Sequence, residues 1–109
     1  MASDSPGDGD LQPLAGIDRL IHEPARLMIM ACLCVIESGD FLFLLRQAEL
    51  THGNLSSHMS KLEAAGYVEV QKEFVDRKPH TMLSLTGKGR SAFLEYRQKM
   101  RQVFEDLPG

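Results

Sequence analysis

Cysteine is scarce in this chain: Cys32 and Cys34 are the only two among 109 residues, and both fall in its most apolar stretch. At a spacing of two on a helix they point to different sides, which argues against a mutual disulfide or a shared metal ion. Long apolar runs are also lacking. The longest, Leu27 to Ile36, is too short to span a bilayer, and no basic segment followed by an apolar stretch and a cleavage site is present. The expectation is a soluble cytoplasmic protein with no membrane partner, no metal and no cofactor. Catalytic patterns are missing as well. Gly87-Lys88-Gly89 lacks the spacing of a phosphate-binding loop, and no two carboxylates have a plausible shared cleft. Ser56, Ser57 and His58 are neighbours on one helix and cannot face one another, so an enzyme is not expected.

A surplus of positive charge is the last absence. The net charge is −3, but Asp4, Asp8 and Asp10 lie in a leader without a basic residue; from Leu11 onward 12 basic residues face 12 acidic ones. Their distribution is uneven. Thr51 to Arg101 holds nine basic residues against five acidic ones, a local asymmetry that suits a polyanion.

With 43% hydrophobic residues, the chain has enough apolar material for one modest core. Residues 1–13, rich in Ser, Gly, Pro and Asp, are expected to form a flexible leader to a single domain over residues 14–109. Ile17, Leu20 and Ile21 give a short helical stripe ending near Pro24, which suits the first turn of a new helix. From Ala25 the run RLMIMACLCVIES is apolar nearly all round and predicts a helix buried on several sides, closed by Gly39. Asp40 and Phe41 read as a brief extended link. A second helix spans Phe41 to Leu50, with Leu44, Leu45 and Ala48 facing inward.

Thr51 is a good N-cap for a third helix running to Ala65, and Gly66 supplies a left-handed exit. Beyond it the period shifts from 3.6 to 2. Tyr67 to Phe74 and Thr81 to Leu85 read as antiparallel strands around a polar hairpin tip, VDRKPH. Thr86 then caps a last helix whose Phe93, Tyr96, Met100, Val103 and Leu107 recur at spacings of three and four.

The third helix is unusual. On a helical wheel Leu55, Met59 and Leu62 cluster within roughly 60°. Opposite them lie Gly53, Ser57, Ser60 and Ala64, flanked by Asn54, Lys61 and Ser56. Such short polar side chains are poor helix formers, but they let a helix come close to another polar surface, and the major groove of DNA is the obvious one. Ser reaches phosphate or base edges, Asn54 can pair with adenine, and Lys61 offers a phosphate or guanine contact. Thr51, His52 and Gly53 bring the helix N-terminus, with its free N–H groups, toward phosphate.

EPARLMIMACL, FLFLLRQAELTHGNLSSHMSKLEAAGYVEVQKEF and RKPHTMLSLTGKGRSAF, in this order, resemble the winged-helix transcriptional regulators related to the MarR and ArsR families. The matching motifs are Pro24-Ala25-Arg26-Leu27, Asn54-Leu55-Ser56-Ser57-His58, Leu62-Glu63-Ala64-Ala65-Gly66-Tyr67-Val68 and Leu85-Thr86-Gly87-Lys88-Gly89; together they span about Ile17 to Phe104. The resemblance implies a mainly α winged helix-turn-helix with a small β-hairpin wing. It puts helix 51–65 in the major groove and wing 74–80 on the backbone or minor groove, with Arg77 and Lys78 at its tip; His80 reads independently as the start of the second strand, open equally to a phosphate contact and to a structural role. The overall neutrality departs from many DNA-binding domains and makes affinity depend on paired sites.

A homodimer is expected. The Phe93, Tyr96, Met100, Val103 and Leu107 stripe is longer than one domain core can cover, leaving Ile17, Leu20 and Ile21 of the same chain, or a second chain, to complete it. A dimer interface lined by Met28, Met100 and aromatic side chains would suit a small apolar effector of unknown identity. The alternative of a different kind is a winged helix that docks on protein and does not bind DNA specifically.

Overall fold

Polar side chains begin each long helix of this protein. In the computed structural model, which describes residues 12–109, Glu23 accepts the Arg26 N–H ahead of helix α2 (Pro24–Ile36), and Asp40 accepts the Leu42 and Phe43 N–H groups ahead of α3 (Phe41–Ala48). Thr51 and Thr86 accept from Asn54 and Gly89 at the starts of α4 (His52–Ala64) and α5 (Gly87–Asp106). These bonds satisfy donors that a helix terminus leaves unpaired. A single turn, α1 (Gln12–Ala15), precedes α2; strand β1 (Ser38–Asp40) follows it, and β2 (Val68–Val75) and β3 (Lys78–Leu85) separate α4 from α5. The expected leader lies outside the described residues except for Gln12 and Pro13, which open α1.

Four expectations need correction. Residues 17–23 form turns, not a helical stripe, because the Asp18 carboxylate draws in the Leu20 and Ile21 N–H groups. Helix α2 buries one side only, with Ile29, Met30 and Leu33 inside; Met28, Val35 and Ile36 are exposed. It ends at Glu37, whose φ is 69°, and Gly39 belongs to β1, so the extended link is a third strand, antiparallel to β3 with Gly39 opposite Leu83. Finally, β3 begins at Lys78, and Pro79 sits inside it opposite Phe74. Proline is tolerated there because alternate residues turn their N–H groups away from β2. Leu85, six positions on, points its own toward Glu37, but β1 reaches only as far as Met82, so no ladder bond is lost at Pro79.

The sheet order is β1-β3-β2. Its inner face, Val68 and Leu83, closes against Leu55 and Leu62 of α4, Leu44 of α3, Ile29, Met30 and Leu33 of α2 and Ile21 of the connector. Gly66, at φ 80°, turns the chain from α4 into β2. The next turn is locked by Thr86, whose hydroxyl donates to the Gly66 carbonyl at 2.6 Å while its N–H donates to Tyr67 O at 3.1 Å.

Tyr67 binds the N-terminal connector by donating its hydroxyl to Asp18. Burial pushes that phenol up to about 12, helped by the hydrogen bond and by the negative charges of Asp18 and Glu95. The folded value lies above the ordinary 10, so this contact stabilises fully below pH 10 and is lost as the pH rises through about 12. Thermal midpoints measured from pH 10 to about 12 should therefore fall more steeply for the wild type than for Tyr67→Phe. Parallel slopes would contradict the linkage.

Candidate nucleic-acid interface

Leu55 and Leu62 are fully buried and Met59 is half-buried, which fixes the rotation of α4. The opposite side then faces solvent: Gly53, Asn54, Ser57, Ser60, Lys61 and Ala64 are all exposed. At Gly53 a Cβ would meet nothing within 4 Å, so the helix start has open space before it. Ser56 is half-buried on the flank toward the wing, and the exposed Thr51 has its hydroxyl engaged with the Asn54 N–H at 3.2 Å.

The two histidines of α4 are partly committed inside the protomer. The His52 ring packs against Phe41, with centroids 4.7 Å apart. His58 Nδ1 lies 3.0 Å from Arg26 Nη1 and 3.8 Å from Glu23 Oε1, while Arg26 Nε donates to Leu20 O. This Glu23, Arg26 and His58 cluster ties the start of α2 to the back of α4. Burial raises the Glu23 carboxyl, but the Arg26 amide bond and the His58 and Arg26 charges outweigh it and leave it below the ordinary value.

Asp76 and Arg77 form the two-residue hairpin turn, both with positive φ (51° and 66°), the pattern of a type I′ turn. Arg77 and Lys78 are exposed at this tip. The pairing assigns every wing residue to a face. Val68, Val70, Lys72 and Phe74, with Leu85, Leu83, Thr81 and Pro79 opposite, share the inner face; Glu69, Gln71, Glu73 and Val75, with Ser84, Met82, His80 and Lys78, share the outer one. His80 is half-buried with Nδ1 3.8 Å from Asp40 Oδ2, beside the start of α3 and away from the tip.

Lys72 was not singled out by the sequence reading. Together with Thr81 it lines a crevice against His52, Ser56 and Met59 of α4, joining wing and helix in one surface. The signal was there: two residues beyond Val70 in an alternating strand is the same face.

The terminal segments are arranged differently from the proposed interface stripe. Ile17, Ile21, Tyr96 and Val103 are buried within the protomer, and Leu20, Phe93 and Met100 pack against its core. Of that set Leu107 is exposed, along with Leu14, Leu94 and Phe104. Met28 lines a shallow crevice with Ala48, Asn54 and His58, whereas Met100 belongs to the α5 packing.

Residues 25–104 match the family described as the winged helix DNA-binding domain. The chain belongs to this family. A 33% identical relative, an uncharacterized protein of Methanocaldococcus jannaschii, aligns over 82% of the chain and 97% of its own length. The winged helix superposes on the structure of a transcriptional regulator homologue from Pyrococcus horikoshii OT3 with TM-score 0.81 and 29% identity, covering 86% of this chain and 95% of that one. The regulator BldR from Sulfolobus solfataricus shares the fold, with TM-score 0.63 and 22% identity over 92% of this chain and 67% of that one. The winged helix is thus a DNA-binding regulator, not an enzyme. Among the described residues no helix is long and apolar enough to cross a membrane.

Proposed function

We propose that this winged helix recognises a specific double-stranded DNA sequence as a cytoplasmic homodimer, with α4 in the major groove and wing 74–80 on the backbone or minor groove. One observation carries the reading: the small polar face of α4 is uncovered by the rest of the protomer, although serine and glycine there weaken the helix. Asn54, Ser57, Ser60 and Lys61 would meet base edges and phosphates, and Arg77 and Lys78 would reach the flanking backbone. Selection of duplexes from a random pool should recover two half-sites about one helical turn apart, roughly 34 Å. Affinity should fall with salt at a log-log slope of about −0.9 per neutralised phosphate. Failure to retain any duplex above the nonspecific level at low salt would replace this reading with a protein-docking adaptor.

The dimer contacts are drawn from what remains exposed at the termini. Phe104 (63% exposed) and Leu107 (44%) at the end of α5, with the exposed Leu14 of α1, are terminal apolar side chains available to a second copy. Phe104→Glu combined with Leu107→Glu should therefore halve the mass seen by light scattering while leaving the fold intact. A Val103→Glu change should instead unfold the protomer, because Val103 is only 2% exposed. An unchanged mass for the double variant would count against this interface.

A further inference from the structure

The wing has little net charge to offer a polyanion. Lys72, Arg77 and Lys78 are matched by Glu69, Glu73 and Asp76. The register separates them, however: Glu69 and Glu73 both lie on the outer face, and Lys72 is the lone charge on the inner face, where it joins the α4 surface. Further out on that inner face stands an apolar pair. Phe74, 77% exposed, is directly opposite Pro79, which is also exposed.

Resting on the DNA-binding reading above, we propose that the Phe74–Pro79 pair is an apolar wedge that enters the DNA minor groove beside the major groove occupied by α4. Three observations converge on this occupant. The pair continues the same face as Lys72 and Thr81, which border α4, so the docking that seats α4 brings this face toward the same duplex. The face carries a cation and no acid, which complements the phosphates bordering a groove, while Arg77 and Asp76 offset each other at the adjoining turn. On its β3 edge the wedge has no backbone donor to desolvate, since the group of residue 79 that would point away from β2 is the N–H proline lacks, while the Phe74 N–H faces the open edge of β2. Phe and Pro are among the side chains that proteins insert between base steps, and the cost of unstacking is offset by sugar contacts made in the opened groove. Hydrocarbon contact of this kind adds binding free energy to the limited counterion release that Lys72, Arg77 and Lys78 supply.

The test uses the full chain and a duplex recovered by selection from a random pool. Phe74→Ala should weaken binding about tenfold with the salt slope unchanged, because no phosphate contact is lost. Lys72→Ala should reduce the slope by about 0.9. Changing flanking G·C pairs to inosine·C, which removes the guanine amino group from the minor groove alone, should tighten wild-type binding and have no effect on Phe74→Ala. With Phe74 this exposed, the variant should keep the wild-type thermal midpoint. Phe74→Ala binding within about twofold of wild type would overturn the wedge while leaving α4 recognition standing. A change in solution mass without a change in DNA affinity would overturn it in favour of self-association through this face. If the wild type retains no duplex at all, the DNA-binding reading itself fails.

Discussion

Gly89→Ala is expected to destabilise the protein by about 3 kcal/mol or more, the range of severe backbone overpacking. A Cβ at this position would lie 2.1 Å from the Tyr67 carbonyl oxygen and 2.9 Å from its carbon, both main-chain atoms. The clash cannot be relieved by a rotamer change. The Tyr67 carbonyl accepts the Thr86 N–H, and the Thr86 hydroxyl holds both Gly66 O and the Gly89 N–H, so moving one strand of this knot breaks the others. A domain of this size loses roughly 4–8 °C of thermal midpoint per kcal/mol, so calorimetry should show a large drop or no cooperative transition. Gly53→Ala provides the opposite control. Nothing lies within 4 Å of its added Cβ, and a helical alanine should stabilise by up to about 1 kcal/mol. Equal midpoints for the two variants would refute the packing argument.

Ser57→Glu should abolish specific DNA binding, by about a hundredfold or more, with the fold unharmed. Ser57 is exposed at the middle of the small polar face of α4, and glutamate is the better helix former, so thermal stability should hold or rise slightly. Against DNA the same change both lengthens the side chain and sets a carboxylate toward phosphates, and like-charge juxtaposition costs several kcal/mol. Gel-shift titration with the selected duplex, next to a thermal melt, separates the two effects. Retained affinity would mean that the helix approaches DNA by another face or not at all. The contrast with Gly89 is instructive: neighbouring motifs of small residues serve opposite needs, one admitting the chain's own backbone and the other leaving room for a partner.

Much of this organisation could be read from local pattern. Thr51 and Thr86 do cap their helices, Gly66 does turn left-handed, and the spacing of Leu55, Met59 and Leu62 does set which face of α4 is free. Those features depend on contacts within a few residues, so the periodicity of side chains and the stereochemistry of caps were enough. The terminal helices were less legible. A stripe at spacings of three and four is equally compatible with a partner in the same chain or in a second copy, and here the chain's own connector takes Tyr96, with α1 lying against α5. The β1 strand was hidden because three residues, Ser38 to Asp40, carry no alternating pattern; they become a strand only through pairing with Ser84, Leu83 and Met82.

By itself, then, the amino-acid sequence determined the helix-turn-helix, the hairpin and the open polar face of α4, because each follows from hydrophobic period, turn chemistry and short-range hydrogen bonds. The tertiary structure alone decided that the wing face carrying Lys72 lies against α4, that His52, His58 and His80 have partners within the protomer, and that most of the supposed interface stripe is covered in cis. Those outcomes depend on strand register and on which distant segment packs on an apolar surface. Both are set by packing across the whole chain, which no local window of residues records.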